Sequence, residues 1–246
     1  MTAKQDDHFS YSQLRQYETC PYAYFLSRYC GVETKTSGFA QAGNLMHSLL
    51  AQWARGEIPA RDLPHTFCQE YPKQVTEPFP KYLGSDYSQK LFDQCLAYLQ
   101  TFNGFSGLEV VAVEKRLQTE IAGEKFVGII DLILKNEKDE LFLMDHKSSS
   151  KITKDMYKQL YLYSKLTTET YGHPPTVLLF NQFKTGKVNM QMFSQEKYLE
   201  SLSWAEKVIH MIRGADMNDW LSAKKEAFYC GNLCECREIC SLSNAA

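Results

Sequence analysis

Gly128-Ile129-Ile130-Asp131-Leu132-Ile133-Leu134 and, a short way on, Leu141-Phe142-Leu143-Met144-Asp145-His146-Lys147 are the two stretches that decide the fold. The first is apolar at both alternating positions, the pattern of a strand buried on both faces in the middle of a sheet. Asp131 lies inside it, and a carboxylate there is costly to ionise unless it is paired, hydrogen-bonded or bound to a metal. The second stretch runs from an apolar strand directly into an acid, an imidazole and an amine. Strand alternation puts Asp145 and Lys147 on one face and His146 on the other. The turn-forming Asn136-Glu137-Lys138-Asp139 lies between the two stretches. A hairpin there brings Asp131 towards Asp145 and Lys147.

Outward from this centre, residues 108–117, 124–134 and 140–147 predict three strands, 154–168 a helix, and 176–183 and 187–193 two more strands. The core is therefore βββαββ, a mixed α/β arrangement. Helices precede it. Ser10 followed by Gln13 predicts a capped helix from Tyr11 to Tyr17. Cys20-Pro21 breaks that helix, and Tyr22, Tyr24, Phe25 and Leu26 predict a further helical turn. Leu45, Leu49 and Trp53 mark one face of a helix over 39–53. Two more helices are expected at 61–71 and 88–102, separated by a Pro-containing loop at 77–81, and a long one at 195–212. No segment marks a domain boundary, so 1–246 reads as one domain with a helical part (1–105), a catalytic core (106–194) and a C-terminal part (195–246).

Composition excludes several classes. Of 246 residues, 44% are hydrophobic and 23% charged, which is ordinary for a globular chain and unlike a disordered or collagen-like one. The 27 basic and 29 acidic residues, a net charge of −2, give no global electrostatic case for nucleic-acid binding. They leave room for an enzyme with acidic metal ligands beside a local basic track. The longest apolar runs fall short of the roughly 20 residues a membrane span needs. The residues Met1 to His8 are polar and acidic, without the apolar core of a signal peptide, so a cytoplasmic protein with no membrane contact is expected.

Two carboxylates and a lysine together suit phosphoryl chemistry: the acids hold a hard cation through oxygen, and the amine offsets charge on the transferring phosphate. A bare Asp-x-Lys is common by chance, and an ion pair at a strand end is its ordinary reading. The company it keeps is less common. Phe9-Ser10-Tyr11-Ser12-Gln13-Leu14 with Tyr17 and Cys20-Pro21-Tyr22-Ala23-Tyr24-Phe25, then Gly43-Asn44-Leu45-Met46-His47, Glu114, Gly128-Ile129-Ile130-Asp131, Asp145-His146-Lys147 and Gln159-Leu160-Tyr161-Leu162-Tyr163 follow one another in order. In that order they resemble the motifs of the PD-(D/E)XK nucleases, and among these the RecB-like and AddB-like branch that includes CRISPR-associated exonucleases. The resemblance covers nearly the whole chain. It implies a restriction-endonuclease-like mixed central sheet flanked by helices.

It also implies roles. Asp131 and Asp145 would be metal ligands for Mg2+ or Mn2+, His47 a further ligand, and Lys147 the catalytic lysine. Gln159 and Tyr163, one helical turn apart, would face the site and the DNA. Glu114 would be an additional strand acid, although its charged neighbours also suit a partly solvated strand. His146 receives no catalytic part.

Four of the eight cysteines, Cys230, Cys234, Cys236 and Cys240, fall near the C-terminal end of the sequence. In a cytosolic chain such a cluster reads as metal or cluster ligands rather than disulfides. The iron–sulfur members of the branch combine one N-terminal cysteine with three C-terminal ones. The resemblance thus implies a 4Fe-4S cluster on Cys20, Cys230, Cys234 and Cys240, joining the two ends of the chain, with Cys236 as the alternative to Cys230. The spacing between Cys230 and Cys234 departs from the branch's pattern, and a four-thiolate zinc site is the competing reading. Cys30, Cys68 and Cys95 are expected as small buried apolar residues.

Lys151, Lys154 and Lys158 are at helical spacing and are candidates for following a phosphate backbone; a solvated helix face is the equal alternative. The resulting expectation is a metal-dependent DNA exonuclease acting on single-stranded or frayed ends in recombination, repair or CRISPR adaptation. The alternative is a DNA-binding accessory subunit of a helicase–nuclease or adaptation complex. Because the chain lacks a helicase, a helicase partner, an adaptation partner or a homo-oligomer is expected for any processive role.

Overall fold

The computed structural model describes residues 7–34, 36–79, 84, 87–222, 230 and 234–241. The chain divides into two compact units, each made of separated segments. The first comprises Met1–Ser37, Gln118–Val127 and Leu199–Ala246, and the second Gly38–Leu117 and Gly128–Tyr198.

In the second unit, helices α3 (Gly38–Ala54), α4 (Leu63–Gln74) and α5 (Tyr87–Thr101) pack through Leu45, Leu49, Phe67, Leu91 and Leu99. The stripe at Leu45 and Leu49 follows the helical period, as the sequence predicts. Gly38 opens α3 where a Cβ would stand 2.5 Å from the Glu77 carbonyl oxygen, so only glycine fits.

The sheet has five strands in the order β1 (Glu109–Ile121), β2 (Glu124–Lys135), β3 (Leu141–Lys147), β4 (Val177–Gln182) and β5 (Lys187–Met192). The pairs β2–β3 and β4–β5 are antiparallel and β3–β4 is parallel. Local chemistry sets the connections. Ala122 and Gly123 both take positive φ (55° and 71°), the requirement of a two-residue turn that matches strand twist. The Asn136 side chain accepts the N–H groups of Lys138 and Glu140, each at 3.0 Å, and closes the β2–β3 hairpin. The parallel step from β3 to β4 needs a crossover, which α6 (Tyr157–Tyr171) supplies before ending at Gly172 with φ 83°. Leu132, Leu134, Met144, Val177 and Leu179 pack with Trp53, Phe105 and Leu108 on one face. Beneath α6 the backbone approach is close: a Cβ on Gly128 would stand 2.6 Å from Leu166 Cδ1 and 2.7 Å from Tyr163 Cε1.

In the first unit, Ser10 caps α1 (Tyr11–Thr19) by accepting the Gln13 N–H. Cys20 closes that helix and caps α2 (Pro21–Tyr24), which runs into a π-helical turn at Phe25–Tyr29. Helix α7 (Gln195–Gly214) enters this unit at Leu199, and α8 (Met217–Leu221) follows behind an Asp216–Asp219 capping box. Tyr17, Tyr24, Phe25 and Tyr29 surround Trp220 at ring separations of 4.8–6.0 Å. Phe9 bridges to Phe126, and Arg213 holds Glu124 through two bonds of 2.6 and 2.7 Å while lying over the Phe9 ring.

The βββαββ core is the one expected, and helices flank the sheet. Several expectations need correction. Lys151 lies in irregular chain, Lys154 in a 3-10 turn (Lys154–Met156), and only Lys158 in α6, so the three do not share a helical face. Cys68 is exposed because it sits one position off the buried Leu63, Phe67 and Tyr71 stripe of α4, and Cys30 is exposed at the end of the π turn. Only Cys95 of the three isolated cysteines is buried. The loop expected over 77–81 lies in part outside the described residues. No helix among the described residues is long and apolar enough to cross a membrane.

Candidate active site

The hairpin between β2 and β3 brings the predicted acids to one place. The pairing of Leu132 with Met144 continues to Asp131 beside Asp145, and α6 places Gln159 against both Asp145 and Lys147. Lys147 Nζ lies 2.6 Å from Asp145 Oδ2 and donates to Gln159 Oε1 at 2.8 Å. Gln159 Nε2 donates to Asp145 Oδ1 at 2.7 Å and to the Tyr163 hydroxyl at 3.2 Å. One amide thus orients both the acid and the amine, and Gly128 admits α6 closely enough for it to do so.

Asp131 is held from the other side. Its Oδ2 accepts the main-chain N–H of His146 at 2.7 Å and lies 3.2 Å from His47 Nδ1 of α3. The two carboxyls are shifted in opposite directions. Burial is the main influence raising Asp145, which is only 4% exposed, and Asp131 adds to it; together they outweigh the Lys147 ammonium. Burial also works to raise Asp131, but the His47 hydrogen bond and charge prevail and lower it. Burial works to lower His47, and Asp131 prevails there too, holding the imidazole above its ordinary pKa.

Among the described residues, no group of three or more His, Cys, Asp and Glu side chains stands at the spacing of a preformed metal cage. Asp145 is turned to Lys147 and Asp131 to His47. The donor types suit a hard divalent cation: two carboxylates and one imidazole, of which the most buried, Asp145, lies in surroundings that resist its anion.

Glu114 does not join this group. It is exposed, pairs with Arg55 and takes φ 45° within β1. His146 does join, by a route that strand alternation does not reveal. Its side chain faces away, as expected, but its main-chain N–H binds Asp131, and its buried ring contacts Asn181 of β4. Burial lowers the imidazole pKa to about 4, so it is neutral at pH 7. Lys158 is paired with Asp155, while Lys151 and Lys154 are exposed.

In the first unit three of the cysteines come together. Cys20, Cys234 and Cys236 are buried together with Ala23, and Cys230 and Cys240 are partly exposed; none of the cysteines is in a disulfide. Burial raises the Cys20 thiol, and the nearby Cys234 and Cys230 add to the effect. The contact with Cys236 holds the Cys234 thiol well below its ordinary pKa and pushes Cys236 up. Cys234 and Cys236 border a polar cavity of about 360 Å³ that Arg15 and Arg28 also line.

Residues 8–241 match the PD-(D/E)XK nuclease superfamily. No curated protein matches the sequence. Among solved structures, a candidate exonuclease from Eubacterium rectale is similar at TM-score 0.50 and 12% identity, over 97% of this chain and 88% of that one. The protein SSO0001 is similar at TM-score 0.36 and 12% identity, over 94% and 95%. At such identities the likeness concerns the fold alone. The superfamily match spans almost the whole chain and includes every residue of the Asp131–Asp145–Lys147 group, so this protein belongs to the PD-(D/E)XK nuclease superfamily.

Proposed function

We propose that the protein is a divalent-metal-dependent DNA exonuclease that hydrolyses phosphodiester bonds at single-stranded or frayed ends, in the RecB-like manner. The observation that supports it most is the Asp145–Lys147–Gln159 knot beside the His47–Asp131 pair. The fold shared with a candidate exonuclease is consistent with it.

His47, Asp131 and Asp145 would hold a magnesium or manganese ion, which when bound polarises a phosphoryl oxygen and makes water a competent nucleophile at neutral pH. The remaining work falls to the chain itself. Gln159 keeps the Asp145 carboxylate and the Lys147 ammonium in fixed orientations, so neither has to reorganise as charge develops. Lys147 donates to the phosphate oxygens and balances their negative charge. His146 N–H fixes the rotamer of Asp131. Lys151 and Lys154, exposed beyond the catalytic strand, would meet flanking phosphates.

Cys20, Cys234 and Cys240, with Cys230 or Cys236, would carry a 4Fe-4S cluster. The grouping of Cys20, Cys234 and Cys236, with Cys230 also near Cys20, supports a shared thiol site that either Cys230 or Cys236 could complete. The protein would act in the cytoplasm on DNA delivered by a helicase or adaptation partner.

The test is anaerobic purification followed by cleavage of end-labelled single- and double-stranded DNA with Mg2+, Mn2+ or chelator. Metal-dependent shortening from the ends is expected. Cleavage of closed circles as fast as linear DNA would remove the exonuclease reading. Metal-dependent cleavage by Asp145→Ala or Lys147→Ala at the wild-type rate would remove the nuclease reading altogether.

A further inference from the structure

We propose that Asn181 and Tyr98, acting through His146, are positioning residues for the cation-binding side of the active site; the inference rests on the function proposed above. His146 is tied to that side at two points. Its main-chain N–H holds Asp131 Oδ2 at 2.7 Å, and its ring stands 5.6 Å from the His47 ring, edge to face. Whatever fixes His146 therefore bears on both groups at once.

What fixes it is a buried polar chain. His146 and Asn181 are register partners across β3 and β4, and Asn181 Nδ2 lies 2.9 Å from His146 Nδ1. The same Nδ2 donates to the Tyr98 hydroxyl of α5 at 2.7 Å, while Phe105 stacks on the His146 ring at 6.3 Å. With Nδ1 accepting from Asn181, the neutral ring carries its proton on Nε2.

Core filling does not account for this chain. His146 is 3% and Asn181 1% exposed, and neither His146 Nε2 nor Asn181 Oδ1 has a hydrogen-bond partner among the described residues. Two apolar residues of similar size would fill the space without leaving buried polar atoms unsatisfied. What apolar residues could not do is fix the rotation of ring 146, and with it the face or edge that it presents to the His47 ring. This is the manner in which hydrogen bonds behind a ligand set orient the ligands themselves.

The test measures Mn2+ binding calorimetrically in the wild-type chain, Asn181→Leu and Tyr98→Phe, along with thermal stability and the Mn2+ dependence of DNA cleavage. Asn181→Leu is expected to weaken Mn2+ binding by about tenfold or more. The half-saturating Mn2+ for cleavage should rise by a larger factor than kcat falls. Tyr98→Phe should shift both in the same direction by less, and it decides the matter alone if Asn181→Leu does not fold. A wild-type chain that binds Mn2+ while the folded variants bind it equally well overturns this inference, whatever happens to Tm. A wild-type chain that neither binds Mn2+ nor cleaves DNA overturns the proposed function, and this inference with it.

Discussion

The catalytic group and the thiol group are both buried clusters of ionisable side chains, yet they are held together in opposite ways. Around Asp145 every charge has a partner of opposite sign or a hydrogen-bonding amide, and the partners come from α3, β2, β3 and α6. Around Cys234 the thiols lie among Ala23, Tyr22 and Leu26, and their main polar contacts are with one another and with the α2 backbone. The first cluster is neutralised by its own chain. The second has arginines only at its border, Arg15 and Arg28 on the cavity beside Cys234 and Cys236, so under the proposed cluster its cohesion would depend on what the thiols bind. Removing a side chain should therefore cost mainly chemistry at the first site and mainly structure at the second.

The largest effect expected is at the first site. Asp145→Ala or Lys147→Ala should lower cleavage by roughly 10³-fold or more, measured on end-labelled DNA, with iron content and the circular dichroism spectrum unchanged. Loss of iron in either variant would blur the contrast between the two clusters. The mirror experiment is Cys20→Ser, which under the proposed 4Fe-4S cluster should release iron and lower Tm by several degrees. If iron content and Tm both match the wild type, the thiols do not form a ligand set.

Gly128→Ala sharpens the comparison from the packing side. The added methyl would meet Leu166 and Tyr163 at under 3 Å and push α6 away, at a cost of about 1–3 kcal/mol. Cleavage should fall along with Tm because α6 carries Gln159. A variant that keeps wild-type Tm would mean that α6 yields freely and that its closeness is incidental.

The smallest effect is expected in the first unit. Arg213→Ala removes a partly solvated pair and should cost about 1 kcal/mol or less in thermal denaturation. The Arg213 hydrogen bonds hold Glu124 below its ordinary pKa. The contribution is thus complete above the titration range of the unfolded carboxylate and is lost as pH falls through the depressed folded value. The gap between wild type and variant should close in acid. A gap that persists there would assign the effect to the Phe9 contact instead.

Sequence patterns were most informative where one periodicity governed several residues. The doubly apolar run around Asp131 and the acid at the end of the next strand fix a hairpin, and the hairpin alone brings the acids together. For Gln159 and Tyr163 the helical period gives only a shared face; that this face meets Asp145 and Lys147 is implied by the resemblance, not by the spacing. Glu114 was misleading because a strand acid has the same pattern whether it faces a catalytic group or Arg55. The spacing of Lys151, Lys154 and Lys158 does not give a shared helical face, because the chain turns helical only at Lys154. Asn181 and Tyr98 carried no signal at all: a lone amide and a lone phenol acquire meaning only through partners 35 and 83 positions away. The short helix α8 and the π turn were likewise unannounced, since both are held by long-range ring contacts.

That π turn has a further consequence. The Cys30 N–H reaches back to the Phe25 carbonyl at 3.0 Å, so the loop of chain closed by this bond contains one residue more than an ordinary helical turn. The surplus residue acts as a phase shifter, allowing Tyr24, Phe25 and Tyr29 to reach the same indole. Deleting a single residue there would rewind the coil and swing Tyr29 by about 100°. The unit would lose its nearest ring contact to Trp220 without the substitution of any aromatic residue.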